Sequence, residues 1–187
     1  MAEARFAVRD TPLAGLKVVQ RMRREDDRGF LSRLYCDEEL GAVGLTEPVV
    51  QINQTLTRAR GAIRGMHLQR PPFAEDKYVS CLRGEILDVA VDVRLGSPTY
   101  LQWHAERLSA ENGLSLLIPK GFAHGFQTLV PDCELLYLHT ARYDAASEGG
   151  LNPFDTELAI EWPLAVTDIS ARDQALPSAS EFTGTTV

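Results

Sequence analysis

The chain has 187 residues, enough for one domain with a substantial core and no need of covalent staples. Hydrophobic residues make up 44% and charged residues 24%, an ordinary globular balance, and the formal net charge of −7 argues against non-specific nucleic-acid binding, which needs a basic footprint. That charge still permits an anionic ligand wherever arginines gather locally.

The N-terminal MAEARFAVRD has no apolar core of a secretory leader, and no stretch approaches the roughly 18 apolar residues of a membrane span, so a cytoplasmic protein without a membrane segment is expected. SRLYCDEELGAVG is a short helix candidate that Gly41 or Gly44 would stop. YVSCLRGE reads as a strand ending in a turn at Gly84. In ILDVAVDVR, Leu87, Val89, Val91 and Val93 alternate with Asp88, Ala90, Asp92 and Arg94, the period-two signature of a strand. SLLIP, GFAHGFQTLV and ELLYLHTARY follow as further strands, punctuated by Gly113, Pro119–Lys120–Gly121 and Pro131–Asp132. The small and polar residues of ALPSASEFTGTTV predict a loose tail from about residue 175 to 187. Many short strands with close-set turns predict an all-β sandwich or barrel of the jelly-roll kind, spanning residues 1–187 as one domain. Cys36, Cys81 and Cys133 are odd in number and lack C-x-x-C spacing, so they read as small apolar residues in a reducing compartment.

Chemistry-bearing residues are few. Of the four histidines, His104 and His139 have unremarkable settings. His67 follows Arg-Gly-x and His124 lies in GFAHGF, where flanking glycines permit close approach by a ligand or a neighbouring strand. No H-x-H or H-x-x-x-H occurs, so a metal site starts from weak ground. Arg28 in DDRGF and Arg64, three residues before His67, carry the planar fork that suits phosphate. Tyr137 and Tyr143 are core aromatics or proton donors, and Asp173 is a surface carboxylate or the orienter of a histidine. Taken singly, each of these residues has an ordinary structural explanation.

Together the segments DDRGF, QINQT, GAIRGMHLQRPP, DKYV, ILDVAVDVRLGSPTYLQW, LIPKGFAHGFQTL, YLHTARY, LAIEWPL and ISARDQALP resemble, in order, the dTDP-4-dehydrorhamnose 3,5-epimerases. The resemblance implies a cupin-type jelly roll (a double-stranded β-helix) with a few short helices. It implies epimerisation of a nucleotide-linked 4-keto-6-deoxyhexose at C3, C5 or both, in deoxysugar or polysaccharide biosynthesis. No metal and no other cofactor is implied, and the expected assembly is a homodimer with exchanged N-terminal strands. By the same resemblance His67 is the base, Asp173 its orienter, Lys77 the cation facing the ketone oxygen and Tyr137 the acid. Arg28 and Arg64 match phosphate contacts, Arg28 acting across the dimer. Gln51, Asn53, His124, Tyr143, Glu148 and Arg172 match the substrate pocket. Asp88, eleven residues beyond Lys77, is read as a partner that fixes the lysine if the two strands pair, or as an outward carboxylate. Leu31 and Arg33 stand where the family carries Phe and Glu, Asn152–Pro153 where it carries Arg-Trp, and Leu68 where an aromatic is common. A single-centre epimerase, a 3,4-ketoisomerase, a non-catalytic nucleotide-sugar binder and a metal-dependent oxygenase are the competing readings.

Overall fold

The computed structural model describes residues 4–187. Thirteen strands and two short helices run in the order β1 (Phe6–Asp10), β2 (Lys17–Arg21), β3 (Arg23–Asp26), β4 (Gly29–Ser32), α1 (Asp37–Gly41), β5 (Gln51–Thr57), β6 (Ile63–Gln69), β7 (Lys77–Arg83), β8 (Glu85–Asp92), β9 (Trp103–Ser109), β10 (Leu114–Ile118), β11 (Phe122–Thr128), β12 (Cys133–His139), β13 (Glu148–Gly150) and α2 (Ala171–Gln174). A six-stranded sheet has the order β1-β2-β10-β7-β12-β5 and a five-stranded sheet the order β13-β6-β11-β8-β9, while β3 and β4 form a separate hairpin. All strand pairs are antiparallel, and the chain repeatedly crosses between the two main sheets, as a jelly roll requires. The fold is the expected cupin-type β architecture.

The alternation in β8 explains how the layers stack. Ile86 and Ala90 point between the sheets, into a core with Val79, Cys81, Leu116, Phe126 and Leu135. Val89, Val91 and Val93 point the other way, which would leave a valine ridge exposed on the back of the five-stranded sheet. Leu158, Ala179 and Phe182 cover that ridge. The six-stranded sheet has the same problem at Val19, Tyr78, Leu117 and Leu138, and Leu40 of α1 with Leu45 covers it. An alternating strand with one solvated face is the simple reading of ILDVAVDVR; here both faces are apolar-packed, and Asp88 and Asp92 are fully buried.

The C-terminal segment therefore is not a loose tail. Phe182 is buried beneath Arg70, whose guanidinium lies 4.6 Å from the ring centroid. Thr185 accepts from the Leu95 amide and donates its own to the Val93 carbonyl, both at 2.9 Å. Its polar composition concealed two apolar side chains spaced to cap the valine ridge. Phe182→Ala is expected to destabilise the protein by about 3–5 kcal/mol, read from urea unfolding; an unchanged midpoint would show that the segment does not contribute to the core.

Candidate active site

Between the sheets the lining changes character along the strands. On the facing strands β7 and β12, Cys81 opposes Leu135, Val79 opposes Tyr137, and Lys77 opposes His139. One end of the inward face is thus apolar and the other ionisable. In the five-stranded sheet Phe122 and Phe126 of β11 join the core, and His124, between them, lies opposite His67 of β6. At this polar end a cavity of about 560 Å³ opens, lined by His67, Lys77, His124, Tyr137 and Asp173, among others.

His67 reaches this position because β6 and β11 approach unusually closely. A Cβ on Gly65 would stand 2.5 Å from the Gly125 Cα, and Gly65 has a φ of +131°, so side chains are excluded at the crossing. The glycines beside both histidines serve strand-on-strand packing. The Gly65 amide donates to Asp173 Oδ2 at 3.1 Å. Asp173 Oδ1 lies 2.8 Å from His67 Nε2. The carboxylate is presented by α2, where Ser170 caps the Asp173 amide at 3.0 Å. A parallel bridge between Ala62 and Asp168 fixes the approach of that segment to β6.

A carboxylate only accepts, so His67 donates through Nε2 and keeps the Nδ1 lone pair as a base. Burial lowers the His67 pKa below its ordinary 6.5; Asp173 opposes this, while Lys77 and Arg172 reinforce it. Burial pushes Asp173 upward, but the Gly65 amide and His67 outweigh it and hold the acid below its ordinary value. At neutral pH the pair is a neutral imidazole beside a carboxylate.

Tyr137 faces His67 from the opposite sheet. Its ring stacks on His139 with centroids 5.9 Å apart and meets His124 edge-on at 6.0 Å. Burial, then the nearby Asp88 charge, raises its pKa, so the phenol stays protonated. Lys77 Nζ donates to the His67 carbonyl at 3.3 Å and lies 3.5 Å from Glu75 Oε1. Arg64 lines the cavity and donates to Thr57 at 3.0 Å. Asn53, Tyr143, Glu148 and Arg172 also line it. Tyr143 donates to Glu148 at 2.9 Å and Arg172 pairs with the other Glu148 oxygen at 2.5 Å, forming a polar rim.

Two sequence expectations are revised. Asp88 does not hold Lys77: β8 belongs to the other sheet from β7, and Asp88 points inward to His124 Nε2 at 2.7 Å. Gln51 sits outside the cavity lining, where its side chain accepts from the Tyr143 amide at 3.1 Å. Arg28, expected to act only across a dimer, lies at the exposed tip of the β3–β4 hairpin, paired with Asp26 at 2.6 Å and outside the cavity lining of its own chain. Conversely, the sequence reading passed over Glu75 and His139, which both line the cavity and meet at 2.9 Å. The signal was present: His139 follows Tyr137 by two on one strand and must share its face. Among the described residues no group of three His, Cys, Asp or Glu side chains is arranged to hold a metal ion, and no helix is long and apolar enough to cross a membrane.

Asp173→Asn removes a charge that raises the His67 pKa. The imidazole titration, followed by NMR, is expected to have its midpoint below 6.5 in the wild type and lower still in the variant. A midpoint unmoved by the substitution would break the proposed coupling.

The family model for dTDP-4-dehydrorhamnose 3,5-epimerase matches residues 10–181. A dTDP-4-dehydrorhamnose 3,5-epimerase of Sinorhizobium fredii is 41% identical over 175 residues, covering 91% of this chain and 88% of the relative. The crystal structure of the corresponding Bacillus anthracis enzyme with TDP and PPi bound has a TM-score of 0.90 at 40% identity, covering 92% of this chain and 99% of that one. A 3'-monoepimerase from Streptomyces bikiniensis in complex with dTDP-quinovose has a TM-score of 0.85 at 32% identity, covering 91% and 86%.

Proposed function

Because the chain belongs to the dTDP-4-dehydrorhamnose 3,5-epimerase family, and is by that membership an isomerase, we propose that it epimerises a nucleotide-linked 4-keto-6-deoxyhexose at C3 and C5. The substrate class is dTDP-4-keto-6-deoxyglucose or a close relative, supplied to deoxysugar or polysaccharide biosynthesis. The carrying observation is the convergence of the His67–Asp173 pair, Lys77 and Tyr137 on one cavity from opposite sheets.

A proton on carbon next to a ketone is acidic because the resulting carbanion delocalises into the carbonyl. His67, neutral at pH 7, takes that proton, and the Asp173 carboxylate stabilises the imidazolium that forms. Negative charge moves to the C4 oxygen, where the Lys77 ammonium stabilises the enolate. Tyr137, kept protonated by its surroundings, returns a proton from the opposite face and inverts the centre. The chemistry requires neither a redox partner nor a metal.

Arg64 is read as a contact for the diphosphate, with His124, Asn53, Tyr143, Glu148 and Arg172 shaping the remainder of the pocket. Gln51 is assigned to the mouth. Arg28 completes the phosphate site only in trans, in a homodimer whose N-terminal strands exchange. Two features support this assembly: Phe30 and Leu31 project from the hairpin at 58% and 68% exposure, and the edge strand β5 exposes Ile52. Arg33 pairs with Glu39 at 2.6 Å, so its charge is already matched and does not by itself exclude thymidine. Residues 1–187 are read as a single domain, a reading supported by the His67–Asp173 pair, which joins β6 to α2. The cytoplasm is the proposed location.

In D₂O with dTDP-4-keto-6-deoxyglucose, proton NMR is expected to show deuterium entering at both C3 and C5. Exchange at one carbon would make the enzyme a single-centre epimerase, and binding without exchange would remove the catalytic reading. His67→Ala is expected to abolish exchange at both carbons with nucleotide affinity within a few-fold of wild type. Tyr137→Phe is expected to slow net epimerisation by about 10²–10⁴-fold while sparing exchange. Equal loss of both would count against Tyr137 as the acid.

A further inference from the structure

Glu75 and His139 are ionisable, line the cavity and have no part in the chemistry just given. Both are buried, each 9% exposed. The two Glu75 oxygens serve different partners: Oε1 lies 3.5 Å from Lys77 Nζ, and Oε2 lies 2.9 Å from His139 Nδ1. Since the carboxylate accepts from both, His139 carries its hydrogen on Nδ1. Its Nε2 is left 3.4 Å from Asn53 Nδ2. The sheet dictates this arrangement. Lys77 and His139 are directly opposed on β7 and β12, and Glu75, two residues before β7, folds back between them.

A lysine carries its charge on a flexible four-carbon stem with three rotatable donors. An electrostatic group lowers a barrier only when it is already in place as charge develops. The His67 carbonyl provides Lys77 with one fixed acceptor, and Glu75 is its charged partner. Glu75 is in turn steadied by a ring that cannot reorient without losing its bond to the carboxylate.

We propose that Glu75 and His139 are a positioning pair for Lys77: Glu75 holds the ammonium, and His139 holds Glu75 through Nδ1–H. This rests on the reading of Lys77 as the cation that meets the ketone oxygen. The pair touches neither the transferred proton nor the enolate; it acts through the lysine.

Three variants of the full-length chain test it, with kcat and KM measured on dTDP-4-keto-6-deoxyglucose. Glu75→Gln keeps the shape and removes the charge. It is expected to lower kcat about tenfold or more with KM within about threefold, the signature of lost transition-state positioning. In His139→Asn the amide nitrogen approximates Nδ1 and can still hold Glu75, so kcat is expected to stay within about threefold of wild type. In His139→Gln it approximates Nε2, and the variant is expected to fall with Glu75→Gln. Wild-type kcat in Glu75→Gln, or equal losses in the two His139 variants, overturns the proposal. If Glu75→Gln shows no cooperative melt, the two His139 variants decide alone. A wild type that exchanges no deuterium brings down the reading of the whole site and this pair with it. A fully active wild type with unaffected variants brings down the pair only.

Discussion

The Asp173 carboxylate ties the C-terminal segment to β6. It accepts from the Gly65 amide and from His67, and it is carried on a short helix that the Ser170 side chain caps. A buried carboxylate with fewer partners would be driven to neutralise. Its requirements reach outward. Gly65 must lack a side chain so that β6 can press against β11, and the chain after β13 must return to β6 through the Ala62–Asp168 bridge. The residues beyond α2 are then in place to seal the back of the five-stranded sheet.

Around the cavity the same device occurs three times. His67 meets Asp173, His124 meets Asp88, and His139 meets Glu75, each at 2.7–2.9 Å. Each carboxylate fixes one ring nitrogen as donor and leaves the other as acceptor. Their surroundings differ. Burial lowers the His67 pKa, and Lys77 and Arg172 reinforce the fall against the pull of Asp173. His124 and His139 instead flank the Tyr137 ring. Burial and the nearby Asp88 charge keep the Tyr137 phenol protonated, and in the proposed mechanism it stands across the cavity from His67.

The strand class and the central strands β7, β8, β10, β11 and β12 were legible, while β1–β6, β9 and β13 carried no pattern strong enough to name them. Alternation in ILDVAVDVR, the glycine and proline punctuation and the short helix at Asp37–Gly41 all lie where the pattern puts them. Alternation reports that neighbours differ, however, and not what covers each face. The buried Asp88 and Asp92 were therefore indistinguishable from solvated carboxylates. The C-terminal segment failed for a related reason: two apolar side chains in a polar run carry little signal until a ridge exists for them to cover.

The sequence by itself determined the strand class, the order of motifs that carries the family membership, and the residue types available for proton transfer. Those properties are local or additive, and a linear pattern records them. The tertiary structure decided which carboxylate meets which base, that Lys77 is held by Glu75 and not Asp88, that His139 belongs to the site, and that Arg28 is remote from it within one chain. These pairings span sequence separations of 106 residues for His67 and Asp173 and 64 for Glu75 and His139. They are set by sheet register and by which of two sheets receives each strand, and register emerges only when the strands pair.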